Sequence, residues 1–134
     1  MPYKLIKINS NDDSRGSLIS LESFKDVPFD IKRIYYLYGC NEQPRGFHAH
    51  RELVQFIICV SGSCSIKLTD SHGESTYLLN HPTSGLLISG IVWREMFDFS
   101  DDAVLLVLAS EFYDENDYIH SYSQFVKESL TYDS

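Results

Sequence analysis

His48 and His50, in the stretch Pro44-Arg45-Gly46-Phe47-His48-Ala49-His50, are the residues of this chain whose type and spacing best suit chemistry. Side chains two apart on an extended segment project to one side, so the pair offers two imidazoles to a single ligand or metal ion, with only the small Ala49 between them. An imidazole titrates near neutrality, which suits it to removing and returning protons. Gln55 and Gly62 follow at informative distances, and Arg94 stands in a later segment, Val92-Trp93-Arg94-Glu95-Met96. His72 and His81 fall in turns and His120 on an expected helix, so these three read as ordinary histidines.

The pair needs a strand to carry it, and the chain is rich in strand signals. At 134 residues, 43% apolar and 13% aromatic, it reads as one domain spanning 1–134 with its own core. Short apolar runs alternate with turn residues at the spacing of an antiparallel sandwich or barrel. Strands are expected over Tyr3–Ile8, Ser17–Glu22, Ile31–Tyr38, Leu53–Val60, Cys64–Thr69, Ser75–Leu79, Val92–Phe99 and Ala103–Ser110, about ten in all with the histidine segment. Asn11–Gly16, Gly39–Arg45 and His81–Gly85 read as turns or loops, and Asp70-Ser71-His72-Gly73 as the tip of a hairpin. On Ile31–Tyr38, Arg33 and Tyr35 share a face with Ile31 and Leu37. A polar residue among apolar ones either points into a ligand cavity or marks an edge strand. After Asp114, Ile119, Tyr122, Phe125, Val126 and Leu130 recur at helical spacing, with Asp114 or Asn116 available as a cap, and Thr131–Ser134 reads as a frayed end.

The formal net charge of −8 excludes the broad basic face that nucleic-acid binding needs. A single phosphate group is still within reach of a few placed arginines, with Arg33, Arg45, Arg51 and Arg94 available. Three cysteines, Cys40, Cys59 and Cys64, form no C-x-x-C pair and no complete disulfide set, which suits a reducing cytoplasm. No apolar run reaches membrane-spanning length, and no membrane partner is expected.

The spacing from H-x-H to Gln55 and Gly62 resembles the first cupin motif, in which the Gln55 position normally carries a metal-ligating glutamate. A neutral amide is a poor ligand for a divalent cation. Arg94 falls near the position of a further histidine ligand in the second motif, where a fixed positive charge repels a metal. The expectation is therefore a site with no metal and no cofactor, in which free imidazoles move protons.

Asp13-Ser14-Arg15-Gly16-Ser17-Leu18, Ile31-Lys32-Arg33-Ile34-Tyr35-Tyr36, Pro44 through His50, Gly85 with Val92-Trp93, and Leu108-Ala109-Ser110 followed by Tyr113-Asp114-Glu115 together resemble the TDP-4-keto-6-deoxyglucose 3,4-ketoisomerases. That resemblance implies an all-β, RmlC-like cupin barrel or jelly roll with a short C-terminal helix. It also implies a homodimer, often with an exchanged N-terminal strand, and a TDP-linked 4-keto-6-deoxyhexose as the substrate whose ketone moves to carbon 3. The product would feed a 3-amino sugar pathway. His48 and His50 would be catalytic, with His50 favoured as carbon base and His48 as relay, an order the sequence does not fix. Arg15, Arg33, Tyr35, Arg45, Gln55 and Arg94 would bind substrate. Among these, Arg33 with Tyr35 would hold the pyrophosphate, and Arg45 or Arg94 would stabilise the enediolate. Many members read Trp-His-Glu-Met-His where this chain reads Trp93-Arg94-Glu95-Met96-Phe97, which leaves the product epimer open and makes Arg94 and Arg15 the residues suspected of steering it. A 3,5-epimerase on the same substrate class, a non-catalytic sugar-nucleotide binding cupin and a metal-dependent dioxygenase are the competing readings.

Overall fold

The computed structural model describes residues 2–40 and 43–132. Twelve strands are found among them: β1 (Tyr3–Lys7), β2 (Asn11–Asp13), β3 (Gly16–Leu18), β4 (Arg33–Tyr38), β5 (Arg45–His50), β6 (Gln55–Ser61), β7 (Cys64–Asp70), β8 (Gly73–Leu79), β9 (Ser84–Ile88), β10 (Trp93–Phe97), β11 (Val104–Ala109) and β12 (Tyr118–Ile119). A one-turn 3-10 helix, Glu115–Asp117, precedes β12, and the helix α1 (Tyr122–Tyr132) follows it. Two five-stranded sheets form, in the orders β1-β9-β6-β11-β4 and β12-β5-β10-β7-β8, while β2 and β3 make a separate hairpin. All ladders are antiparallel, as expected of an all-β barrel.

The alternation of Cys64, Ile66 and Leu68 turns these side chains inward, where they meet Ile57, Cys59, Leu86, Leu105 and Val107 of the opposite sheet in the main core. The outer face of the first sheet carries a second cluster. Here Val27 and Phe29, from the long connection after β3, cover Phe56, Ile58 and Leu108. Phe125 of α1 packs with Trp93, Ala49 and Ile119 in a third cluster, so the helix braces the strand that bears the histidines.

Several expectations are corrected. The stretch Asn11–Gly16 is not all turn, because Asn11–Asp13 pairs with Gly16–Leu18, and the second strand ends at Leu18 rather than Glu22. The expected turn His81–Gly85 runs into a strand that sequence patterning missed, β9, which lies between β1 and β6. Its Gly85 is required there, since a Cβ would come within 2.2 Å of the Phe56 ring. The helix starts at Tyr122: Asp114 caps the 3-10 turn instead, and Ile119 belongs to β12. Thr131 and Tyr132 continue α1, whereas the other residues expected to fray, 133–134, lie outside the described residues, as do 41 and 42 of the expected loop. On β4, Arg33, Tyr35 and Leu37 are half-buried while Ile34, Tyr36 and Tyr38 are exposed. No helix is long and apolar enough to cross a membrane among the described residues.

Candidate active site

The histidines stand on β5, and a bulge sets their aim. On β10, Arg94 pairs with His48 and the next residue, Glu95, pairs with Gly46, so Phe47 is an extra residue in the strand. Gly46 and Phe47 both adopt positive φ, 91° and 58°, an uncommon state for a phenylalanine. Gly46 is indispensable for a second reason: a Cβ there would lie 2.8 Å from the Arg94 carbonyl oxygen. Beyond the bulge, the imidazoles of His48 and His50 meet edge to face at 4.9 Å between centroids.

The other wall comes from β12, which pairs Tyr118 with His50 and Ile119 with Ala49. The Tyr118 ring lies 4.3 Å from that of His50 and 5.2 Å from that of His48, with His120 stacked on it at 5.4 Å and Tyr113 at 5.6 Å. Just before it, Asp117 accepts the Nδ1–H of His50 at 3.2 Å. Asp117 also accepts backbone N–H groups from Arg51, Glu52 and Leu53, so its carboxylate is held by the turn that follows His50. This fixes the His50 tautomer with the lone pair on Nε2, which is buried without a partner.

Behind the histidines runs a buried polar chain. Arg94, fully buried, donates to Gln55 Oε1 and to the Val92 carbonyl, the latter at 2.9 Å. Gln55 Nε2 donates in turn to the Tyr35 hydroxyl at 2.8 Å. Burial and then the Arg94 charge push His48 down to about 4 and His50 down to about 2, so both imidazoles are neutral at physiological pH. Burial raises Tyr35, keeping its hydroxyl protonated. Arg94 is lowered by burial to about 10 and stays charged.

Two hollows open on this cluster. One of about 220 Å³ is lined by Arg33, Tyr35, Arg45, Gly46, His48 and Tyr118. A second of about 580 Å³ is lined by residues that include Arg33, His50, Tyr113, Asp117 and Tyr118, so Arg33 and Tyr118 border both. The Arg33 guanidinium lies over the rings of Tyr35 and Tyr113, at 5.1 and 5.5 Å, with its Nε buried and unpartnered.

Of the residues singled out in sequence, His48, His50, Arg33, Tyr35, Arg45, Gln55 and Arg94 converge here. Arg15 does not join them within the chain: it sits on the β2–β3 hairpin with its side chain 88% exposed and paired to Asp13. Arg51 is engaged by Glu128 of α1 and serves packing. Sequence reasoning missed Asp117, Tyr118 and the outer group in which Glu115 accepts from Tyr113 at 2.5 Å and from His120 at 2.8 Å. The signals available were the density of aromatic and acidic residues over 111–120 and the stretch Tyr113-Asp114-Glu115, which carried part of the family resemblance but no role.

Comparisons with known proteins place the fold in a family. A family model described as "FdtA: WxcM-like, C-terminal" matches residues 1–129. The chain belongs to the FdtA family. A relative from Aneurinibacillus thermoaerophilus, TDP-4-oxo-6-deoxy-alpha-D-glucose-3,4-oxoisomerase, is 47% identical over 128 residues, covering 95% of this chain and 92% of the relative. A 3,4-ketoisomerase structure from Helicobacter canadensis is 49% identical with a TM-score of 0.94, over 97% of this chain and 98% of that one. QdtA, a sugar 3,4-ketoisomerase from Thermoanaerobacterium thermosaccharolyticum solved with TDP, is 45% identical with a TM-score of 0.95, over 97% of this chain and 96% of that one. The RmlC epimerase of Mycobacterium tuberculosis is 19% identical with a TM-score of 0.74, over 87% of this chain and 67% of that one, and shares the fold, which is the expected RmlC-like cupin.

Proposed function

We propose that this FdtA-family chain is a sugar-nucleotide 3,4-ketoisomerase that converts TDP-4-keto-6-deoxyglucose into a TDP-3-keto-6-deoxyhexose. The observation that carries the reading is the pair of neutral imidazoles, His48 and His50, set 4.9 Å apart beside the Tyr35 hydroxyl chain. The family's 3,4-ketoisomerases match over nearly the whole chain, whereas the sugar epimerases match at 14% and 19% identity.

The ketone at carbon 4 acidifies the hydrogen on carbon 3, and a neutral imidazole removes it to give an enediolate. Burial favours His48 for this step, the reverse of the order favoured in sequence. His48 is partly exposed on the hollow it shares with Tyr35, while His50 is fully buried. A hydroxyl carries its own hydrogen and reaches a recessed nitrogen that a carbon atom cannot. His50 Nε2 therefore suits the relay, accepting the proton from the oxygen on carbon 3 and passing it to the oxygen on carbon 4, while Asp117 holds the far side of the ring. Tyr35 delivers a proton to carbon 4, and the proton held by His48 restores the tyrosine, so none is gained or lost overall. The field of Arg94, which adds to burial in keeping both imidazoles neutral, also favours the enediolate. Arg33, with its unpartnered Nε at the border of both hollows, suits the pyrophosphate, and Arg45 at the rim of the smaller one suits the sugar.

The test is incubation with TDP-4-keto-6-deoxyglucose in deuterated water, with the product read by NMR. Deuterium on carbon 4 of a 3-keto product and on carbon 3 of recovered substrate is expected, and deuterium on carbon 5 overturns the assignment in favour of an epimerase. His48→Asn should bind TDP and leave carbon 3 unexchanged.

The 3-keto product is the electrophile that an aminotransferase requires, which places the reaction before amination in 3-amino-3,6-dideoxyhexose synthesis. The active form is a homodimer. Support comes from the exposed outward face of β4, with Ile34 and Tyr36 each 60% and Tyr38 73% exposed, beside a hollow whose lining joins Ile19, Leu21, Ile58, Val60 and Leu106 to polar residues such as Asp12. β1 pairs with β9 in the same chain, and an exchange between subunits would use the same register. Three free thiols suit a cytoplasmic setting.

A further inference from the structure

Gln55 occupies the centre of the polar chain behind the histidines, with neither end of its amide free. A guanidinium has donors only, so the end of the amide that meets Arg94 must be the oxygen. The nitrogen then faces Tyr35 and donates to its hydroxyl at 2.8 Å. That bond takes one lone pair of the hydroxyl oxygen and leaves the hydroxyl hydrogen without an acceptor among the described residues. Tyr35 lines the same hollow as His48, so a molecule bound in that hollow can take the hydrogen.

We infer that Gln55 is a positioning residue, whose amide, oriented by Arg94, turns the Tyr35 hydroxyl into a proton donor aimed at the sugar. The inference rests on the ketoisomerase reading and adds to it a reason for an amide at this position. A carboxylate there would pair with Arg94 equally well, but it has no donor. It would accept the tyrosine hydrogen itself and withdraw it from the substrate. The two near-isosteric side chains thus have opposite effects on the direction in which one proton points, with little difference in shape.

The test separates the two halves of the reaction. In deuterated water, exchange at carbon 3 of recovered substrate reports His48, while formation of the 3-keto product also requires a proton at carbon 4. Gln55→Glu should lower product formation by about 100-fold, the scale of a lost general acid, with KM within about twofold. It should retain TDP binding, thermal stability and exchange at carbon 3. Tyr35→Phe should show the same split. A packing role predicts the reverse, with activity following stability, so a Glu variant that matches the wild type, or one that loses exchange and conversion together, overturns the inference. Should the Glu variant fail to fold, Gln55→Met provides the second arm. Without the amide donor the hydroxyl swings freely, and conversion should fall by about tenfold with exchange retained; a Met variant with full conversion also overturns the inference. A wild-type protein that forms no 3-keto product at all sinks the ketoisomerase reading instead, a result distinct from every outcome above.

Discussion

The carboxylate of Asp117 accepts the Nδ1–H of His50 at 3.2 Å across 67 positions of sequence, and the same carboxylate is gripped by the backbone N–H groups of Arg51, Glu52 and Leu53. A carboxylate only accepts, so His50 has one stable tautomer while this contact lasts. Asp117→Asn breaks that rule, because an amide presents a donor as well. We expect the Nε2–H tautomer of His50 to appear in nitrogen NMR of the histidine rings. Conversion should fall by about 10- to 100-fold, and stability by about 1–3 kcal/mol for the backbone donors left short of an acceptor. An unchanged ring spectrum would refute the role given to Asp117.

The pH dependence follows from the depressed histidines. With His48 at about 4, the acid limb of kcat/KM is expected near 4 rather than at the 6.5 of a free imidazole. Arg94→Met removes one of the charges that lower it, and the limb should move upward. A limb that stays in place would show that burial alone sets the value.

Stability has its own pH signature. Below 6.5 the unfolded chain binds protons that His48 and His50 refuse in the folded state, so stability falls as pH drops. The His48 contribution to that loss levels off near 4 and that of His50 near 2. Each histidine contributes roughly 1.4 kcal/mol per pH unit within its window. Urea titrations at pH 7 and 5 should show this slope, and His50→Gln should reduce it.

Gly46 is constrained twice, by a φ of 91° and by the Arg94 carbonyl 2.8 Å from where a Cβ would stand. Gly46→Ala should therefore cost about 2 kcal/mol or more and carry the site with it, since the same turn of backbone aims His48. Thermal unfolding and product formation should fall together. An Ala variant as active and stable as the wild type would refute the constraint.

Tyr36 stands at the middle of the exposed row on β4. Tyr36→Lys places a charge on that face and should convert the proposed dimer to monomer in sedimentation velocity, with the fold unchanged. A wild-type protein that sediments as a monomer at micromolar concentration would remove the dimer from the proposal.

The parts of the site carried on strands were legible in the sequence, because strand alternation has a short period and places side chains by parity. His48, His50, Arg33 and Tyr35 were found in this way, whereas Gln55 in place of a usual acid argued only against a metal and gave no sign of the polar chain that joins it to Arg94 and Tyr35. Asp117, Tyr118 and His120 were hidden. They arrive from a distant segment whose apolar spacing, from Ile119 through Phe125, imitates a helix before the helix begins. β9 was hidden by the turn residues at its start, where Gly85 is demanded by a neighbouring ring rather than by a turn. Arg15 resembles the family in sequence, but a single chain leaves it on an outlying hairpin.

The extra residue at Phe47 has a meaning for anyone who would transplant this site. A regular strand assigns its faces by odd and even count, and one added residue reverses the assignment for everything before it. An alignment that closes the gap, or a graft that copies the two histidines onto an unbroken strand, keeps the letters and loses the phase. Arg45 would then exchange sides with its neighbour while His48 kept its place across from Arg94.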